Sequence, residues 1–149
     1  MRDIKFLVVH CSDSPNDRDV TAADIHQWHK AHGWDGIGYN AVITRAGEIQ
    51  PGRPDYWQGA HVRDFDGNGE GDNSDSLGVC LIGRDEFTPH QFRALSAWLY
   101  DKKRQHPDAQ VVGHRDLDTR KTCPNFDVGK WYASLSPTYR FTPHTAKKS

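Results

Sequence analysis

The sequence predicts one α/β domain with a mixed central β-sheet flanked by helices, and three observations carry that expectation. At 149 residues the chain has the length of a single domain and buries roughly 70% of the surface its unfolded form exposes, enough for a core without disulfides. Short, continuous apolar runs at residues 4–9 (IKFLVV) and 76–82 (SLGVCLI) suit buried strands. Two windows opened by threonine caps, residues 21–32 and 88–106, place apolar side chains at helical spacing.

In order along the chain, the first strand delivers His10 at its end, where ligands collect in α/β sheets. A polar loop follows over residues 11–20, and Thr21 with Asp24 is close to a capping box. The helix they open is expected to run to about His32, with Ile25, Trp28, His29 and His32 near one face and Gly33 closing it. Its histidines do not read as a metal cluster, because steps of three leave His26 and His32 ~120° apart; they read as packing or surface residues. Residues 38–49 alternate and turn at Ala46-Gly47, a hairpin that Tyr39 opens. A loop over residues 51–60 holds Tyr56 and Trp57, and His61 follows as a surface residue or a substrate contact.

Asp64, Asp66, Asn68, Asp72 and Asp75 stand at positions one, three, five, nine and twelve of an acidic segment with glycine at six, a partial match to a calcium loop. Aspartate at position twelve, where bidentate glutamate is preferred, leaves a solvated acidic loop as the competing reading. After the strand at residues 76–82, Thr88-Pro89 caps and begins a helix reaching about His106, striped by Phe92, Leu95 and Leu99 and stopped by Pro107. Val111-Val112 makes a last short strand leading to His114, and residues 128–135 a closing helix. Residues 136–149 read as a polar, mobile tail.

Composition excludes several classes. The odd count of three cysteines argues against a disulfide framework, and Cys11 and Cys80, inside apolar runs, read as small core residues. No stretch approaches the ~20 apolar residues that span a bilayer, and no signal segment opens the chain, so a soluble protein made in the cytoplasm is expected; it is also expected to be a monomer. The formal charge is −1, and five acids without a base between residues 64 and 76 leave the rest at +4, which is no nucleic-acid stripe.

The chemistry concentrates in residues 113–127, GHRDLDTRKTCPNFD. His114 and Cys123 offer an imidazole and a thiolate, but their spacing is not by itself a zinc signature, and a third ligand must come from elsewhere. His10 is the best supplier. A zinc ion held by two histidines and one cysteine keeps one position open and activates water at neutral pH. Lys121 would then place a cation where an oxyanion develops, and a phenol such as Tyr39 would relay a proton. No HExxH segment supports a zinc protease, and His114-Arg115-Asp116 lacks the other signatures of a kinase catalytic loop.

Five segments carry a family resemblance: VHCS at residues 9–12, IHQWHKAHGWDGIGYN at 25–40, GVCLIG at 78–83, FTP at 87–89 and KTCPNFD at 121–127. Together they resemble the type 2 zinc amidases that cut N-acetylmuramoyl-L-alanine bonds in peptidoglycan, in the branch of the phage T-seven lysozyme, whose fold animal peptidoglycan recognition proteins share. The resemblance covers nearly the whole chain. It implies one zinc held by His10, His114 and Cys123, with Tyr39 and Lys121 needed for cleavage. Asp116 is read as orienting a ligand from behind, and His61 and Asp75 as substrate contacts. It also implies a phage endolysin made in the infected host's cytoplasm that acts on the cell wall after release. Relatives have a shorter loop ending in Asn-Ser before the GVCL strand, whereas here Asp75 takes the Asn position. The T-seven protein also inhibits a polymerase through residues preceding this chain's start, so polymerase binding is not expected. A non-catalytic peptidoglycan receptor is the other reading, and Cys123 argues against it.

Overall fold

The computed structural model describes residues 3–62 and 71–135. Among them the chain forms β1 (Phe6–Cys11), α1 (Ala22–Ala31), β2 (Ala41–Ile43), β3 (Ile49–Pro51), β4 (Ser76–Leu81), α2 (Pro89–Gln105), β5 (Gln110–Gly113), α3 (His114–Leu117) and α4 (Val128–Ala133). The strands make one mixed sheet in the order β3-β2-β4-β1-β5. β1 runs parallel to both β4 and β5, β2 runs parallel to β4, and only the β2–β3 hairpin is antiparallel. The anticipated mixed α/β sheet is therefore the fold. The calcium-loop positions Asp64, Asp66 and Asn68 and the expected tail from residue 136 lie outside the described residues.

Strand alternation sorts side chains to two faces. Leu7 and Val9 of β1, Leu77, Val79 and Leu81 of β4, and Ile43 of β2 pack with Leu95, Trp98 and Leu99 of α2 and Val128 of α4. On the opposite face, Val42 and Cys80 pack with Ile25 of α1 and with Val20, Ile37 and Ile82. In β1 this parity sends His10 to the α1 face, where it is buried and pairs in register with Cys80. Because β1 lies between β4 and β5, the ends of three parallel strands converge around it.

Local signals set the helix ends as expected. Thr21 and Asp24 form a reciprocal capping box, His32 ends α1, and Gly33 follows at φ +87°, a conformation that favours glycine. Thr88 accepts from the Gln91 N–H while the Gln91 side chain accepts from the Thr88 N–H, with Pro89 in the first turn. Two details differ from the expected elements. Trp28 is 38% exposed, because the face of α1 that turns inward is centred on Ile25. His114 does not simply end a strand; it is the first residue of α3, a four-residue helix in what reads as loop.

Candidate metal centre

His10, His114 and Cys123 each offer one ligand atom, and these atoms lie within 4.8 Å of one another. His10 comes from β1, and its ring centroid is 4.4 Å from that of His114, which the adjacent β5 delivers. Cys123 reaches them because its loop is tied back: the Arg115 N–H donates to the Cys123 carbonyl at 2.9 Å, and Asn125 Nδ2 donates to the Arg84 carbonyl at 2.6 Å. The Cys11 N–H donates to Cys123 Sγ at 3.0 Å, so the residue beside one histidine supports the thiol directly. Pro124 closes over Gly113, where an added Cβ would come within 3.0 Å of its Cδ.

The electrostatics suit neutral imidazole donors. Burial holds His10 well below the ordinary histidine value, with His61 and His114 lowering it further. Burial also takes His114 down to about 4, Lys121 adding to the effect and Asp118 opposing it. Both imidazoles are thus uncharged at neutral pH, as metal ligation requires. The Cys11 side chain and burial push the Cys123 thiol up, so in the metal-free chain it keeps its proton, and a metal that binds there displaces it. Two imidazoles and one thiol make a zinc donor set with a fourth position available, and the residues fit such an ion.

The cluster opens on a cavity of about 580 Å³ whose walls include Tyr39, His61, Asn73, His114, Asp118 and Lys121. Tyr39 is half-buried, its ring centroid 5.0 Å from that of His10. Burial, with the neighbouring Cys80, Cys123 and Cys11 thiols, raises its phenol well above the ordinary value. It therefore stays protonated, with a hydroxyl proton available to donate. Lys121 is exposed on the rim.

Of the other residues singled out from the sequence, Asp116 and Asp75 bond to backbone outside the cluster, while His61 touches it. Asp116 accepts the Gly113 N–H at 2.8 Å, holding the backbone just before His114. Asp75 accepts from the Gly71 and Asp72 N–H groups at 3.0 and 2.9 Å, and Asp72 accepts from the Ser74 N–H at 2.7 Å. These two carboxylates hold the turn into β4. His61, read as a surface residue or substrate contact, is buried and sits 2.8 Å from His10, Nδ1 to Nε2.

Sequence reasoning missed several contributors. His26 and His29 accept backbone N–H bonds from Ile37 and Gly38 at 3.0 and 2.9 Å, pinning the segment that leads to Tyr39. Asn40 does the same from the other side, accepting the Gly78 N–H at 2.8 Å. Asp118 is buried and takes Arg120 in a two-point ion pair, with both N···O distances 2.9 Å, which holds its carboxyl down to about 2. The run HQWH beside GIGYN was the one available signal for the first pair.

A His-His-Cys group able to hold one metal ion, beside a cavity with a cation and a phenol on its walls, fits the class of hydrolytic enzymes that use a metal. The chain belongs to the N-acetylmuramoyl-L-alanine amidase family, whose model matches residues 1–126, and it is an enzyme of that kind. It is 37% identical over 131 residues to the endolysin of Enterobacteria phage K11, covering 83% of this chain and 82% of that one. The endolysin of Escherichia phage T7 is 32% identical over 134 residues, covering 85% and 83%. Wild-type Drosophila PGRP-LB superposes with a TM-score of 0.71 at 25% identity, covering 95% of this chain and 85% of that one.

Proposed function

We propose that this amidase is a zinc-dependent phage endolysin that hydrolyses the amide between the lactyl group of N-acetylmuramic acid and L-alanine in peptidoglycan. Convergence of His10, His114 and Cys123 at the cavity is the observation that supports the zinc assignment. Bound zinc supplies Lewis acidity, polarising the amide carbonyl and lowering the pKa of water toward ~7.

The chain's own groups do the rest. The neutral rings of His10 and His114 and the deprotonated Cys123 would hold the ion. Lys121 presents its ammonium to the carbonyl oxygen as negative charge develops there. The Tyr39 phenol donates a hydrogen bond into the same space and orients the attacking oxygen. Water adds to the carbonyl carbon, the C–N bond breaks, and L-alanine leaves as an amine that takes up a proton. The lactyl group remains as a carboxylate. Made in the host cytoplasm, the enzyme acts on the wall once released, as a monomer.

Mass analysis of digested peptidoglycan tests this reading. The expected products are stem peptides with free L-alanine amino termini beside intact glycan, and none in the presence of chelator. Cleavage between sugars, or full cleavage with zinc removed, overturns it.

A further inference from the structure

We propose that His61 is a positioning residue of the metal centre, fixing the tautomer and ring orientation of His10 so that His10 meets the metal through Nδ1. This rests on the zinc reading above and goes beyond the ligand set. The argument follows one chain of hydrogen bonds. Ser76 Oγ lies 2.6 Å from the Asp72 carbonyl oxygen; a carbonyl only accepts, so the single Ser76 hydroxyl proton points there. Ser76 Oγ then accepts from His61 Nε2, 3.3 Å away. A neutral imidazole carries one N–H, which places the lone pair of His61 on Nδ1, facing His10 Nε2 at 2.8 Å. His10 Nε2 must donate. That leaves Nδ1 as the lone-pair nitrogen of His10.

The His61 ring is built into this place. Gly78 of β4, in register with Val8 of β1, lies under it: an added Cβ would come within 2.6 Å of Nδ1 and 2.8 Å of Cγ. At Gly59 an added Cβ would come within 2.7 Å of the ring's Cδ2. Asn73 Oδ1 accepts from both the His61 and Val62 N–H groups at 2.7 and 2.8 Å, fixing the backbone from which the ring projects. The His10 and His61 rings meet edge to face, 83° apart. Ligating histidines are commonly held by an acceptor on the second ring nitrogen, and loss of that acceptor typically costs metal affinity. Here a second imidazole is the acceptor, with Ser76 and a main-chain carbonyl setting its own proton.

Long-range proton–nitrogen spectra of the histidine-labelled, zinc-loaded protein read the tautomers directly. His10 and His61 are both expected to be protonated at Nε2; a His10 bound through Nε2 overturns the proposal. His61→Phe keeps a flat ring and removes the acceptor, and should weaken zinc binding by roughly 10- to 100-fold in chelator competition and shift the visible bands of the cobalt-substituted protein. His61→Asn, which restores an acceptor oxygen near Nδ1, should recover most of that affinity. Unchanged zinc affinity and cobalt bands in His61→Phe, or no recovery in His61→Asn, overturn the proposal. So does slower cleavage at unchanged zinc affinity, which would make His61 a substrate contact. If the parent holds no zinc, the zinc reading falls with it; if the parent holds zinc and the variants match it, only the role of His61 falls.

Discussion

Single side chains at the centre differ in what their loss removes. Cys123→Ala and His10→Ala each delete a donor from a three-donor site, so each should release the zinc and abolish cleavage together. Metal analysis finding one zinc per chain in either variant would refute that ligand. Because the donors bind deprotonated, zinc retention in the parent should fall on acidification. Tyr39 and Lys121 lie beside the donors without belonging to them. Tyr39→Phe and Lys121→Ala should therefore keep zinc and fold while lowering turnover by about 10² to 10³, on the order of 3 kcal/mol of transition-state stabilisation. Near-parental rates in both variants would sink the proposed mechanism and leave the metal site standing. Lys121 was named from its place two residues before Cys123 and Tyr39 as a candidate phenol, and the family-like residues around them supported both. The contact of His61 with His10 was not legible, because it depends on space left by Gly78 on a different strand, which no local pattern reveals.

Among the elements, the junction at the start of α2 ties helix to sheet. Thr88 accepts from the Gln91 N–H and donates to the Arg45 carbonyl at 2.9 Å. The buried Gln91 side chain donates to the Ile82 and Ile43 carbonyls at 2.8 and 3.3 Å, joining β2 and the end of β4 to the helix. Thr88→Ala should cost about 1 kcal/mol, seen as a Tm lower by about 2–4 °C, with Thr88→Ser close to the parent. An unchanged melting curve for the alanine variant would show that the cap contributes nothing. The Thr21–Asp24 box and the Thr88 cap could be read from the sequence, since that chemistry is local. Gln91 shows the limit: neither its place in the second box nor its bonds to two strands was read, and the latter depend on the register of β2 against β4.

For the whole molecule, the proposed ion would link parts of the chain that are remote in sequence. If zinc binds the folded arrangement of donors as proposed, removing it should lower the melting temperature, and restoring it at about 100 times its Kd should return ~2.7 kcal/mol. A thermal transition indifferent to chelator and to added zinc would contradict this. The sheet's mixed character was legible from the apolar runs and the hairpin, but its order was not: β1 pairs with β4 and β5 rather than with β2, and parallel pairing leaves no short turn to announce it. That order bears on when the enzyme comes into being. Synthesis runs from the amino end, so His10 emerges before the partner strands and the thiol it meets in the fold. A nascent chain still lacking Cys123 would lack one of the three donors of the proposed centre, so the proposed ability to cut the wall would wait on translation of that thiol.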